Sequence, residues 1–168
     1  MAQCAEPASR SVTVLVPTPE RMRDLAAGLA AACRAGDLIV LIGDLGAGKT
    51  TFVQGMGRGL GVSDAVTSPT FVISRVHESV AGVDLVHVDA YRLGSAVDLD
   101  DLDLDATLDD CVTVVEWGEG KVEHLSPDRL TVRIDRSDDE GDEIRRVTFT
   151  GQGRRWPAQA LADLESGW

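Results

Sequence analysis

The sequence predicts an α/β fold, with one central mixed β-sheet flanked by helices and an antiparallel hairpin late in the chain. Three observations predict it. Apolar runs of strand length alternate with stretches of helical period. One run, Leu38–Ile42 (LIVLI), is apolar without a break, as a strand covered on both faces must be. Two later runs flank a polar turn, Asp138–Asp142. The 168 residues, 43% hydrophobic and 26% charged, amount to one domain of ordinary globular composition. Aromatic residues make up only 4%, so the core must come from Val, Leu, Ile and Ala.

Taken in order, residues 1–10 lack apolar pattern and are expected to be disordered, which leaves residues 11–168 as the domain. Ser11–Val16 (SVTVLV) reads as a strand. Thr18 can cap a helix that has Pro19 at its first position and Gly36 as its stop. Within it Met22, Leu25, Ala26, Leu29 and Cys33 form one helical stripe. After Leu38–Ile42 comes a glycine loop, then a helix over Thr50–Leu60 ended by Gly61. Further strands are predicted at Phe71–Val76, Leu85–Val88, Val112–Val115, Leu130–Ile134 and Arg146–Thr150, and a last helix from about Trp156 to Leu164. Between Asp98 and Asp110 seven aspartates stand among four leucines. Ala106 occupies the place where a calcium loop needs Gly, and Val112 the place where it needs Glu, so the segment reads as a solvated acidic helix face.

Charge narrows the function. Sixteen Lys and Arg against 28 Asp and Glu give a net charge of −12, which repels phosphodiester backbones and anionic lipid. The three cysteines, Cys4, Cys33 and Cys111, are widely spaced, so neither a disulfide framework nor a zinc site is expected. Cys33 and Cys111 read as small core residues. The N-terminus lacks a signal-peptide apolar region, and no apolar run approaches the roughly 18 residues of a membrane span. A soluble, cytoplasmic protein is expected.

Gly43-Asp44-Leu45-Gly46-Ala47-Gly48-Lys49-Thr50 fits the pattern GxxxxGK[ST] in full, with an apolar strand before it and a helix after it. Glycines at 43, 46 and 48 let the backbone curl until successive N–H groups converge on phosphate oxygens. The next helix adds its positive N-terminal end. Lys49 can reach the outer phosphates and the Thr50 hydroxyl can bind Mg²⁺. The candidate nucleotide-binding residues are therefore Gly43, Asp44, Leu45, Gly46, Ala47, Gly48, Lys49, Thr50 and Thr51, in a single-domain P-loop NTPase. Only two lysines, Lys49 and Lys121, stand beside fourteen arginines, and there is no Asn. The [NT]KxD motif that reads guanine is missing, so ATP is favoured by elimination.

A phosphate loop needs a carboxylate from another strand end to hold or polarise the Mg²⁺ shell and position water. Leu85-Val86-His87-Val88-Asp89 and Val112-Thr113-Val114-Val115-Glu116 both lead from apolar residues to an acid. Asp89 and Glu116 are the catalytic candidates, because carboxyl ends of strands are where ligands sit in open α/β sheets.

Together GDLGAGKTT (43–51), TSPTF (67–71), HVDAYRL (87–93) and EWGE (116–119) resemble the TsaE family, bacterial ATPases needed to form threonylcarbamoyladenosine in tRNA. The resemblance spans about residues 12–150, with the four motifs in the family's order. It implies that Thr50 and Glu116 hold Mg²⁺, that Asp89 supports catalysis or orients water, and that Thr67–Thr70 responds to the γ-phosphate. It also places Thr18-Pro19 near adenine. A separate synthase would make threonylcarbamoyl-adenylate, and a TsaB–TsaD pair would transfer the group to tRNA. The TsaE-like protein would bind that pair and use ATP to permit repeated turnover.

Other readings stay open. Trp117 packs against nucleotide or partner, or else belongs to the core. Tyr91 and Arg92 brace Asp89 or form an interface, with Arg92 a possible arginine finger in cis. His87 reads as structural. The rival function is a small-molecule P-loop kinase, which needs an Arg-bearing lid. No Arg-rich segment of that kind stands out.

Overall fold

The computed structural model describes residues 10–69, 73–139 and 141–166. In chain order they form β1 (Arg10–Val16), α1 (Pro19–Ala32), β2 (Leu38–Ile42), α2 (Lys49–Leu60), β3 (Ser74–His77), β4 (Leu85–Asp89), α3 (Ala96–Asp100), α4 (Asp105–Leu108), β5 (Val112–Glu116), β6 (Arg129–Arg136), β7 (Arg145–Gln152) and α5 (Ala158–Ser166). All seven strands join one sheet in the order β1-β7-β6-β2-β5-β4-β3. β2 pairs in parallel with β5 and β6, and β4 in parallel with β5. β1/β7, β6/β7 and β3/β4 are antiparallel, so the sheet is mixed and the late hairpin is there as expected.

Alternation along β2 divides the core in two. Ile39 and Leu41 face a cluster with Met22, Leu25 and Leu29 of α1, Phe52 and Met56 of α2, and Leu161 of α5. Leu38 and Val40 face the other way, with Val86, Val88, Leu99, Leu104 and Leu108. An uninterrupted apolar strand is what this two-sided burial demands.

The element ends show where local chemistry overrides periodicity. Thr18 accepts a hydrogen bond from Arg21 N at 3.2 Å and Pro19 follows it, as predicted. The helix, however, stops at Ala32, short of Gly36. Asp37 explains the early stop: its carboxylate accepts from Arg34 N at 2.8 Å and pairs with Arg155, which also donates to Ala32 O at 2.6 Å. The expected Asp98–Asp110 helix is two short helices broken at Asp103, which has φ 51°. Its leucines are buried or partly buried and its aspartates exposed, so the solvated acidic face is real although the helix is not continuous.

β3 begins at Ser74 rather than Phe71, and Phe71 and Val72 lie outside the described residues. α5 begins at Ala158, after buried Trp156. Of the expected disordered start, residues 1–9 (Cys4 included) lie outside the described residues, while Arg10 is the first residue of β1. No helix among the described residues is long and apolar enough to cross a membrane.

Candidate functional site

The glycine loop runs from the end of β2 to the start of α2. A side chain at Gly43 would meet Ile134 O at 2.6 Å, so only glycine lets the loop lie against β6. Gly48 is the N-cap of α2 with φ 114°. Lacking a side chain, it puts no capping group in front of the helix's first N–H groups, which have no acceptor within the helix. From β7, Arg145 Nε donates to Ala47 O at 3.2 Å and holds the loop from behind. The sequence reading missed this clamp, since Arg145 is remote in sequence and belongs to no motif.

Lys49 is buried. Its Nζ donates to Gly43 O at 2.7 Å and Asp44 O at 3.0 Å, and stands 4.0 Å from the centre of the Trp117 ring. Burial lowers its pKa from the ordinary 10.5, while Glu116, Asp89 and Asp44 act in the opposite direction.

The two acids come from adjacent parallel strands. Asp89 closes β4 and Glu116 closes β5, and both are buried. Asp89 Oδ1 accepts from Tyr91 N at 3.0 Å, in the tight turn that Lys121 braces by donating to Ala90 O at 2.7 Å. Glu116 Oε1 accepts from the Thr50 hydroxyl at 3.3 Å and lies 2.7 Å from His87 Nε2. Trp117 takes φ 60°, a left-handed conformation costly for a bulky residue, and its ring lies 5.1 Å from that of Tyr91. Trp117 thus belongs to the site and not to the core.

A cavity of about 460 Å³ is lined by Leu45, Gly46, Gly48, Lys49, Thr50, Thr51, Ser68, Asp89, Tyr91, Glu116 and Trp117. Most of the residues singled out in the sequence meet there. Gly43 and Asp44 contribute the carbonyls that hold Lys49, and Ala47 is buried beneath the loop. A smaller hollow of about 110 Å³ beside it is lined by Thr18, Pro19, Met22, Gly46, Ala47, Gly48, Thr51, Glu143 and Arg145. Ser68 reaches the main cavity, and Thr67 Oγ1 accepts from Arg75 at 3.1 Å. Thr70 and Phe71 lie outside the described residues. Tyr91 lines the cavity and Arg92 does not.

Thr50 and Glu116 present hard oxygens side by side, a donor set suited to Mg²⁺. Among the described residues no three His, Cys, Asp or Glu side chains gather into a metal cage. A nucleotide-bound Mg²⁺ needs only one or two carboxylates besides phosphate oxygens and water. Neither Cys33, whose thiol burial pushes up to about 12, nor Cys111, raised by burial as well, lines either cavity.

Comparison with known proteins agrees with this geometry. The family described as "Threonylcarbamoyl adenosine biosynthesis protein TsaE" matches residues 16–147. A "tRNA threonylcarbamoyladenosine biosynthesis protein TsaE" of Streptomyces coelicolor is 62% identical over 146 residues, covering 85% of this chain and 97% of its own. The protein of that name from Bacillus subtilis is 40% identical over 139 residues, covering 82% and 84%. The crystal structure of Bacillus subtilis YdiB superposes with a TM-score of 0.75 at 33% identity, over 94% of this chain and 96% of that one.

Proposed function

From the chain's membership of the TsaE family of threonylcarbamoyladenosine biosynthesis proteins, we propose that it is a Mg²⁺-dependent ATPase. It serves the threonylcarbamoyladenosine modification of tRNA in the cytoplasm, together with a protein pair of the TsaB–TsaD type. The observation that carries the ATPase reading is the convergence of Lys49, Thr50, Asp89 and Glu116 on one cavity at the N-terminus of α2.

The division of labour follows from the residues. Loop N–H groups and the start of α2 bind the phosphates, and the Lys49 ammonium neutralises their charge. Lys49 is held by two carbonyls and an aromatic face, so it is poised at the loop and not waving in solvent. Thr50 Oγ1 and the Glu116 carboxylate would hold Mg²⁺, which supplies charge neutralisation at the phosphate oxygens when bound. Asp89, fixed by the Tyr91 N–H, orients the attacking water. Both lysines follow a glycine, so neither can supply the [NT]KxD motif that reads guanine, which supports ATP. The net charge of −12 supports contact with partner proteins in place of direct tRNA holding.

The test is ATP turnover by the purified chain, alone and with the TsaB–TsaD pair and tRNA. Alone it should run well below the median enzyme rate of about 10 per second, since among the described residues no arginine lines the main cavity to offset transition-state charge. The pair should raise the rate and make modification repeatable. A fast isolated chain indifferent to the pair refutes the reading, and phosphorylation of an added small acceptor points to a kinase instead.

A further inference from the structure

His87 sits in the middle of β4, wholly buried. Its register partner across β5 is Val114, so Glu116 is its diagonal neighbour, two residues further along on the same face. A buried imidazole needs at least one hydrogen bond. The bond His87 makes is to Glu116 Oε1, at 2.7 Å. Nδ1 has no partner among the described residues. The contact with Glu116 is therefore the one hydrogen bond that holds the ring among the described residues.

We infer that His87 is a positioning residue for Glu116: it pins Oε1 beside the Thr50 hydroxyl and so pre-forms the pair of oxygens that would hold Mg²⁺. This rests on the ATPase reading above. Hydrogen bonds from Thr50 and His87 both fall on Oε1, so the carboxylate is held at one oxygen. Without His87 the glutamate keeps, among the described residues, only the longer bond from Thr50, and its rotamers spread before metal arrives. Partners that orient a metal ligand typically contribute 10- to 100-fold in affinity or activity.

The experiment is an Mg²⁺ titration of the affinity for a fluorescent non-hydrolysable ATP analogue. It compares the wild-type chain with His87→Leu, His87→Gln and His87→Asn, alone and combined with Glu116→Ala, with thermal melts alongside. His87→Leu should move the Mg²⁺ midpoint up by about 10- to 100-fold and leave the affinity in EDTA unchanged. His87→Gln, whose amide nitrogen can stand where Nε2 stood, should recover most of the shift, whereas the shorter Asn should not. In the Glu116→Ala background, which removes the acceptor, His87→Leu should add nothing. If His87→Leu does not fold, Gln against Asn decides: equal midpoints overturn the inference. So does an unmoved midpoint in a folded His87→Leu chain, or an effect that persists without Glu116. A wild-type chain whose affinity ignores Mg²⁺ would instead refute the functional reading itself, and this inference with it.

Discussion

Asp89 and Glu116 are register partners at the last positions of two adjacent parallel strands, both buried and both lining the same cavity. Two acids so placed need not do the same work. Glu116 is the one bonded to Thr50, so Glu116→Ala should raise the Mg²⁺ concentration needed for turnover. Asp89→Ala should leave ATP binding nearly intact and lower turnover by roughly 10²–10³, the effect of losing one transition-state contact. Both variants should fold. A magnesium titration at fixed ATP checks the pair, and an outcome with the two roles exchanged refutes the assignment.

Lys49 gives the site a pH dependence. Phosphate needs its ammonium, and burial holds the pKa below 10.5. ATP affinity should therefore be full below the lowered pKa and fall as pH rises through it, earlier than an ordinary lysine would dictate. The same shift has a stability sign. Between the folded and unfolded values the unfolded chain binds more protons, so this group's contribution to stability rises with pH across that window. Affinity measured from neutral pH to 10.5 checks the first claim. Lys49→Arg should flatten the decline, because a guanidinium stays charged throughout, and a wild-type curve that is already flat would refute it.

Two glycines should respond to alanine with opposite signs. A Cβ at Gly55 would meet Ala26 Cβ at 2.7 Å and the Arg23 backbone, so Gly55→Ala should destabilise by about 1–3 kcal/mol through overpacking. Gly82 has nothing within 4 Å and no positive φ. Gly82→Ala should be neutral or stabilise by up to about 1 kcal/mol, by restricting the unfolded chain. Chemical denaturation of the two variants side by side is sufficient.

The thiols of half-buried Cys33 and buried Cys111 should be slow to react. With Cys33 pushed up to about 12 and Cys111 raised as well, both should resist iodoacetamide at mildly alkaline pH and react once denaturant opens the fold. Because the folded values lie above 9.0, the stability they contribute is complete below that pH and is lost as pH rises towards about 12. Peptide mass spectrometry after alkylation reads the protection, and early modification of Cys33 would contradict its raised pKa.

The strands, the loop and both strand-end acids were legible because each rests on local pattern: an apolar run, a glycine spacing, an acid after a run. What stayed hidden depends on neighbours distant in sequence. Arg145 reaches Ala47, and Arg155 ends α1 from the far end of the chain. His87 reads as structural in the sequence, and its bond to Glu116 is not visible there. The clue was the strand's period of two, which sets His87 on the same face as Asp89, but only the register with β5 reveals Glu116 as its partner. Asp103 broke an expected helix because the leucines on either side of it are drawn to the sheet.

The close approach of α1 and α2 couples distant positions mechanically. At Gly59 too, a Cβ would meet Ala30 Cβ at 2.6 Å, so backbone lies nearly on backbone for a full turn between Gly55 and Gly59. α2 begins at Lys49, and the Thr18-Pro19 corner opens α1 at the rim of the smaller hollow. Gly55 lies about 9 Å along the helix axis from Lys49, so a larger side chain there presses on the helix that carries the loop. A substitution well away from the loop is therefore expected to weaken stability and the proposed nucleotide grip together.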